Sequence, residues 1–258
     1  MLMAVTRAVN PALSNCDLEY LPRREIDVAR ASEQHARYEA ALTALGATIV
    51  RAPPEPALPD SVFVEDPAIV LDEVAVLTAM RSPVRARETE TLATLLGRYR
   101  PLRGLKEPAV LEGGDVLRIG RRIFVGCSSR SNEAGVAQLA AEIEPLGYSV
   151  HPVDVRGCLH LKTGCCYLGN GTLLANREWI DMRPFEGFAI LETPAAEPYA
   201  ANVISVGSAV LMAAGFPQAA AVLDQAGWSV ATVDISEFSK AEAGLTCMSI
   251  LFHAGMVP

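Results

Sequence analysis

The chain has 258 residues, half of them apolar, with six cysteines and a formal net charge of −8 at pH 7. This acidic balance argues against nucleic acid and anionic membranes as partners, because both carry negative charge themselves. We expect one domain over residues 1–258 and reduced thiols. Neither a signal peptide nor an apolar run of membrane length is evident, so the sequence predicts a cytoplasmic protein.

Helix-like segments that end at a glycine recur along the chain, each followed by a run rich in β-branched or aromatic residues. Apolar residues at steps of three and four predict helices over 33–45, 88–96, 132–146 and 218–226. By subtraction, the glycines of the pattern lie 40 to 51 residues apart: Gly46, Gly97, Gly147, Gly187 and Gly227. We expect each to end a helix in the left-handed conformation.

Strand-like runs lie between these helices and are separated by turn residues such as those at 169–171. They cover 62–64, 68–71 and 75–78, then 116–119 and 123–125, 165–168 and 173–175, and 203–206 and 210–212. The unit is therefore strand, strand, helix, strand, repeated five times, and each unit needs neighbours to bury its apolar face. Unequal repeats without a polar cap favour a closed ring. The alternative is a three-layer α/β sandwich.

Polar residues interrupt the starts of the predicted strands at equivalent positions in successive repeats. They are Glu65 and Asp66, Glu112 and Asp115, His160 and Lys162, Asn202, and Cys247. In a ring these positions would meet at the axis, where the carboxylates need cations, donors or water, because an unpaired buried charge costs several kcal/mol. For any single acid, the alternative is that it caps a turn by accepting backbone N–H groups.

Cys247, His160 and an acid form the nucleophile, proton carrier and orienting group of covalent catalysis. A thiol needs a neighbouring or bound cation to ionise near neutral pH, and the alternative is that Cys247 packs as a small apolar residue. His35 lies in a polar helix, and we expect it to be solvated. Because close metal-ligand spacing, a phosphate loop and a dinucleotide fingerprint are all missing, we expect no metal and no cofactor.

Six segments, in order and spacing along nearly the whole chain, resemble the dimethylarginine dimethylaminohydrolase family. They are LPDSVFVEDPAIV (58–70), LEGGDVL (111–117), SSRSNEAG (128–135), LHLKTG (159–164), AAN (200–202) and GLTCMS (244–249). The resemblance implies the five-bladed α/β propeller, or pentein fold, of the guanidine-modifying enzymes. It also implies hydrolysis of N-methylated arginines to citrulline and an amine, without metal or organic cofactor.

The same resemblance implies roles for ten residues of this chain. Cys247 corresponds to the nucleophile, His160 to the proton donor and Glu112 to the acid of that set. The implied substrate contacts are the acids Asp60, Glu65 and Asp66, the α-carboxylate arginines Arg85 and Arg130, and the peripheral residues Leu18 and Ala241. Asp66 is the acid expected on the guanidinium, and Leu18 lies in a mobile lid over residues 10–24. Arg87 is the alternative to Arg85, because RSPVRAR (81–87) departs from the family's usual Arg-Pro-Gly-Ala-x-Ser-Arg-Arg.

The expected partner is a small methylated arginine, with neither nucleic acid nor membrane, and a homodimer remains open. Two other functions also remain: an arginine or other guanidine deiminase on the same fold, and a non-catalytic binding protein for cationic amino acids. The related deiminases generally carry His-x-Asp where this chain has His160-Leu161-Lys162. That aspartate would face a dimethylated nitrogen with no hydrogen to donate. The lysine therefore favours methylated substrates, and the choice between monomethyl- and dimethylarginine stays open.

Overall fold

The computed structural model describes residues 1–255, and within that range the strands group into five sheets of three strands. The strands are β1 (Leu2–Thr6), β2 (Thr48–Arg51), β3 (Ala68–Val70), β4 (Ala75–Leu77), β5 (Leu102–Gly104), β6 (Val116–Ile119), β7 (Arg122–Cys127), β8 (Ser149–Asp154), β9 (Cys165–Gly169), β10 (Thr172–Ala175), β11 (Ala189–Glu192), β12 (Ile204–Val206), β13 (Ala209–Ala213), β14 (Ser229–Val233) and β15 (Ile250–His253).

Seven α-helical segments, three of them a single short turn, connect the strands of residues 1–255. They are α1 (Val28–Ala44), α2 (Pro83–Ala86), α3 (Glu88–Leu96), α4 (Glu133–Ile143), α5 (Leu161–Gly164), α6 (Pro217–Gln225) and α7 (Ser236–Ser239). Side-chain caps define where the two longest, α1 and α4, begin: Asp27 accepts from the Arg30 N–H at 3.0 Å, and Asn132 accepts from the Gly135 N–H at 2.8 Å.

Each sheet is one blade with the same strand order. An inner strand pairs antiparallel with a middle strand, and the middle strand pairs parallel with an outer strand that returns after a crossover. The first blade takes its inner strand, β15, from the C-terminal part of the chain and pairs it with β1. The two ends of the chain therefore close the ring, and the predicted five-bladed α/β propeller is confirmed.

Most of the repeat pattern read from the sequence is confirmed, and three details are wrong. Gly46, Gly147, Gly187 and Gly227 have φ values of 86–90°, in the left-handed region. Gly97, however, has φ −58°, because the chain continues from α3 through further helical turns. The run 62–64 forms turns, since a fully buried loop has the same apolar composition as a strand. The fourth blade crosses over through a 3-10 turn, Arg183–Phe185, in place of an α-helix.

The cores lie between blades, and the inner strands of neighbouring blades contact one another. His35 was expected to be solvated, but it is only 4% exposed. It packs 6.2 Å from Phe238, ring centroid to ring centroid, because α7 covers this face of α1. No helix within residues 1–255 is long and apolar enough to cross a bilayer.

Candidate active site

The polar residues that precede the five inner strands are joined by a closed ring of hydrogen bonds. The segment before each inner strand donates a hydrogen bond to the corresponding segment of the preceding blade. Gly113 N donates to the Asp66 carbonyl at 2.9 Å, Leu161 N to Asp115 Oδ1 at 2.8 Å, and Asn202 Nδ2 to the Lys162 carbonyl at 2.8 Å. Thr246 N donates to Asn202 Oδ1 at 3.0 Å, and Glu65 N donates to the Cys247 carbonyl at 3.2 Å. The positions that repeat spacing predicts as equivalent therefore do meet at the propeller axis.

His160, Glu112 and Asp66 form the buried centre of this ring. His160 Nε2 lies 2.9 Å from Glu112 Oε2 and 4.0 Å from Asp66 Oδ1. Gly114 allows this approach, because a Cβ there would lie 2.6 Å from His160 Nδ1 and 2.9 Å from Asp66 Oδ1. Its backbone N–H donates to Asp66 Oδ1 at 3.0 Å. The sequence Glu112-Gly113-Gly114 thus places an acid on the histidine and leaves room for the ring.

The surrounding acids hold His160 in its protonated form. Burial lowers the pKa of His160, but the Asp66 charge and the hydrogen bond to Glu112 outweigh it and raise the pKa to about 9. In turn, burial raises the pKa of Asp66, and the facing imidazolium and the Arg85 guanidinium bring it below its usual value. At neutral pH the site therefore contains an imidazolium that can donate a proton, beside an ionised carboxylate.

Glu112→Gln should lower the pKa of His160, because it removes the carboxylate bonded to Nε2. Ring ¹⁵N NMR of the substrate-free protein measures this pKa. The His160 imidazole should lose its proton at about pH 9 in the wild type and at a lower pH in the variant. Glu133→Gln, an exposed acid at the start of α4, is the control and should leave the titration unchanged. Because the folded-state pKa is raised, the linked stabilisation is fully present below pH 6.5 and is lost as pH rises through about 9. If His160 had the same pKa in Glu112→Gln as in the wild type, this account would be wrong.

Cys247 lies in the 3-10 turn Thr246–Met248 that leads into β15, and it keeps partial exposure. Burial raises the pKa of its thiol, as do the Glu65 and Asp66 carboxylates, against a smaller opposing effect of Lys162. Cys247 is therefore a thiol until a cation lies between it and the carboxylates. Among the other cysteines of residues 1–255, Cys127 is half-buried and the remaining four are buried. Cys165 and Cys166 belong to two apolar clusters of the core.

Both carboxylate oxygens of Glu65 already have partners, which come from two other blades. Lys162 forms an ion pair with Glu65 Oε1, and Thr246 Oγ1 donates to Oε2 at 2.7 Å. Asn202 Nδ2 donates in turn to Thr246 Oγ1 at 3.1 Å. Lys162 therefore pairs with a neighbouring acid. Of the two adjacent acids, Asp66 is therefore the one that faces His160.

Arg85, and not Arg87, enters the site. The Arg85 side chain is buried, with Nη1 3.1 Å from Asp66 Oδ2 and Nη2 3.4 Å from Glu88 Oε2, whereas Arg87 is exposed. Burial raises the pKa of Glu88 to about 7 even though Arg85 opposes it. Asp60 is buried nearby and accepts from the Asp17 N–H at 3.2 Å, and burial raises its pKa to about 6.

The remaining predicted contacts are Arg130, Leu18 and Ala241. Arg130 Nε donates to Glu19 Oε2 at 2.9 Å, and Arg130 Nη1 lies 3.6 Å from Glu112 Oε1. Leu18 and Ala241 belong to the same apolar cluster. The sequence did not point to Glu19 and Glu88, or to Glu242, whose carboxylate accepts from the backbone N–H groups of residues 19–21. These acids lie outside the repeat-equivalent positions, so only their charge could have singled them out.

Within residues 1–255, Asp66, Glu112 and His160 are the group whose ligand atoms are close enough to hold a metal, all within 4.8 Å. His160 Nε2 is engaged by Glu112, and its raised pKa keeps the imidazole protonated rather than free to bind a metal. The Arg85 guanidinium also lies against Asp66. Carboxylates beside a thiol, a proton donor and arginines suit an organic cation that carries its own carboxylate.

Known proteins resemble this chain over most of its length. Residues 26–153 match the family model described as arginine deiminase. The N(G),N(G)-dimethylarginine dimethylaminohydrolase of Pseudomonas aeruginosa is 38% identical over 88% of this chain and 90% of that protein. The protein of that name from Streptomyces coelicolor is 37% identical over 96% of this chain and 95% of its own. A solved cysteine-to-serine mutant of the Pseudomonas aeruginosa enzyme, complexed with citrulline, superposes with a TM-score of 0.93 at 35% identity, covering 97% of this chain and 98% of that one.

Proposed function

Because the chain belongs to the dimethylarginine dimethylaminohydrolase family, we propose that it hydrolyses N-methylated arginines. The substrates are asymmetric dimethylarginine and monomethylarginine, and the products are citrulline and dimethylamine or methylamine. One observation carries the proposal. The Cys247 carbonyl accepts from the N–H of Glu65, the residue before Asp66, at 3.2 Å, and Asp66 Oδ1 lies 4.0 Å from His160 Nε2 inside a buried ring. A bound guanidinium on Asp66 therefore has a nucleophile and a proton donor beside it.

Catalysis begins when the substrate cation binds between the carboxylates and Cys247. The cation offsets the charges that raise the thiol pKa, so the Cys247 thiol gives its proton to solvent. The thiolate sulfur then forms a bond to the guanidinium carbon, and the displaced C=N electron pair moves onto nitrogen. His160 gives its proton to the methylated nitrogen, and the C–N bond breaks to release the amine. Cys247 then holds an S-alkylthiouronium. Glu112 keeps the imidazole oriented in this step through the bond to Nε2.

Water completes the reaction through the same histidine. Neutral His160 takes a proton from a water molecule, and the oxygen adds to the thiouronium carbon. The C–S bond then breaks with its electron pair returning to sulfur, and the proton of the added hydroxyl passes to that thiolate. This leaves the ureido group of citrulline, Cys247 as a thiol and His160 as an imidazolium. One acid–base group thus serves both half-reactions.

The amino-acid end of the substrate is assigned to the rim of the site. Arg130 is suited to the α-carboxylate because its Nε already donates to a carboxylate, that of Glu19. Arg85 adds positive charge nearby, although Asp66 and Glu88 balance part of it. We assign Asp60 to the α-amino group, and Leu18 and Ala241 to peripheral contacts. Glu65 contributes to the substrate pocket through its ion pair with Lys162.

We expect kcat/KM to be at least about tenfold higher for monomethyl- or asymmetric dimethylarginine than for arginine. Lys162 stands where an aspartate would need an N–H donor from the substrate, and an acceptor left unpaired by a dimethylated nitrogen costs about 1–3 kcal/mol. Citrulline formation with the three substrates measures the ratio. Comparable or better efficiency on arginine would instead favour a deiminase, and binding without turnover would favour a binding protein for cationic amino acids.

A further inference from the structure

The carboxylate of Glu242 binds three consecutive backbone N–H groups of the lid, residues 10–24. The Glu19 N–H donates to it at 3.0 Å and the Tyr20 N–H at 2.6 Å, and the Leu21 N–H is the third donor. These partners are more than 220 residues apart in the chain. Hydrogen bonds to an ionised acceptor are stronger than neutral ones, so this contact holds the backbone of the lid at one point.

The backbone of Glu242 is in a conformation that its side chain does not favour. Its φ is 59°, in the left-handed region, where a residue with a Cβ is strained. Within residues 1–255 the one other non-glycine residue with positive φ is Asn170, of a type common in tight turns. A glutamate in this conformation, with its carboxylate fully engaged, indicates that the side chain has a task that glycine could not perform.

The Glu242 contact is connected to the site through Glu19. The Glu19 side chain accepts from Arg130 Nε at 2.9 Å and lies 3.8 Å from Arg81 Nη1. Arg130 reaches Glu112, the partner of His160. In addition, Leu18 precedes Glu19 and Ala241 precedes Glu242, so the same contact brings together the two peripheral residues.

We propose that Glu242 is a positioning residue of the substrate pocket. Its carboxylate fixes residues 19–21, which places the Glu19 carboxylate on Arg130 and Leu18 beside Ala241. Arg130 is thereby oriented before the substrate arrives, so that binding does not have to order it. The effect on substrate rests on the proposed function, whereas the contact between Glu242 and the lid does not.

Glu242→Gly is the decisive variant, because glycine removes the carboxylate and also relieves the backbone. We expect an unchanged or higher Tm, amide exchange of residues 19–21 about tenfold faster in the substrate-free protein, and a KM for asymmetric dimethylarginine about tenfold higher, with kcat within about twofold. Glu242→Gln, which keeps an accepting oxygen without the charge, should be intermediate. Asn170→Gly is the matched control: it changes the other strained position and should leave exchange at 19–21 and KM unchanged.

Unchanged exchange at residues 19–21 in Glu242→Gly would overturn the lid contact. Faster exchange with an unchanged KM, or a loss confined to kcat, would overturn the positioning role. If the wild type releases no amine from methylated arginine, the proposed function fails, and the exchange measurement still decides whether Glu242 holds the lid.

Discussion

Replacing Cys247 with serine is expected to abolish turnover, by a factor of about 10⁴ or more, while leaving the fold intact. A hydroxyl needs a strong base to become a nucleophile. The nearest candidate, His160, is protonated at neutral pH because its pKa is raised to about 9. The substitution is nearly isosteric in a partly exposed turn, so the Tm should change little. Citrulline formation measures the effect.

Cys127→Ser is the control, since Cys127 is the other cysteine within residues 1–255 that is not buried. That variant should keep wild-type activity. Alkylation of the wild-type protein should inactivate it, and methylarginine should protect, because the substrate covers the thiol. Near wild-type turnover by Cys247→Ser would make the nucleophile assignment wrong.

His160→Ala is expected to lower turnover by about 10²–10⁴, with a much smaller effect on substrate binding. The acids that grip the guanidinium remain in place, and removing the imidazolium leaves them more negative. Without a proton donor, however, the amine cannot leave and water cannot be activated. Mass spectrometry should find any intermediate that does form accumulating on Cys247, and calorimetry measures binding.

The exposed His253 provides the matched control, and His253→Ala should behave as the wild type. If calorimetry finds that His160→Ala loses binding as completely as it loses turnover, the histidine is structural rather than the proton carrier.

The ring of polar residues could be predicted because it follows from local signals. Each of these residues interrupts an apolar strand start, and the repeat spacing makes the positions equivalent, so closing the ring brings them together. The ion pair of Lys162 with Glu65 was open to the same reasoning, since two opposite charges precede inner strands of the ring. The glycine at position 114 also has a local explanation, because a side chain there would collide with His160.

The rest depended on tertiary contacts that leave little trace in the sequence. His35 lies in a helix of polar composition, and only the packing of α7 buries it. The apolar run 62–64 has the composition of a strand but forms buried turns. The contact of Glu242 with residues 19–21 joins distant segments through backbone N–H groups, which carry no residue-type signal. Choosing Arg85 over Arg87 likewise required knowing which side of α2 faces Asp66.

The amine released from asymmetric dimethylarginine is the most direct test of the account. The purified protein is incubated with this substrate, and NMR or chromatography identifies the amine and quantifies it against citrulline. We expect dimethylamine and citrulline in equal amounts, with none formed by Cys247→Ser. Ammonia as the released product, or substrate left unchanged by a protein that binds it, would contradict the proposed function.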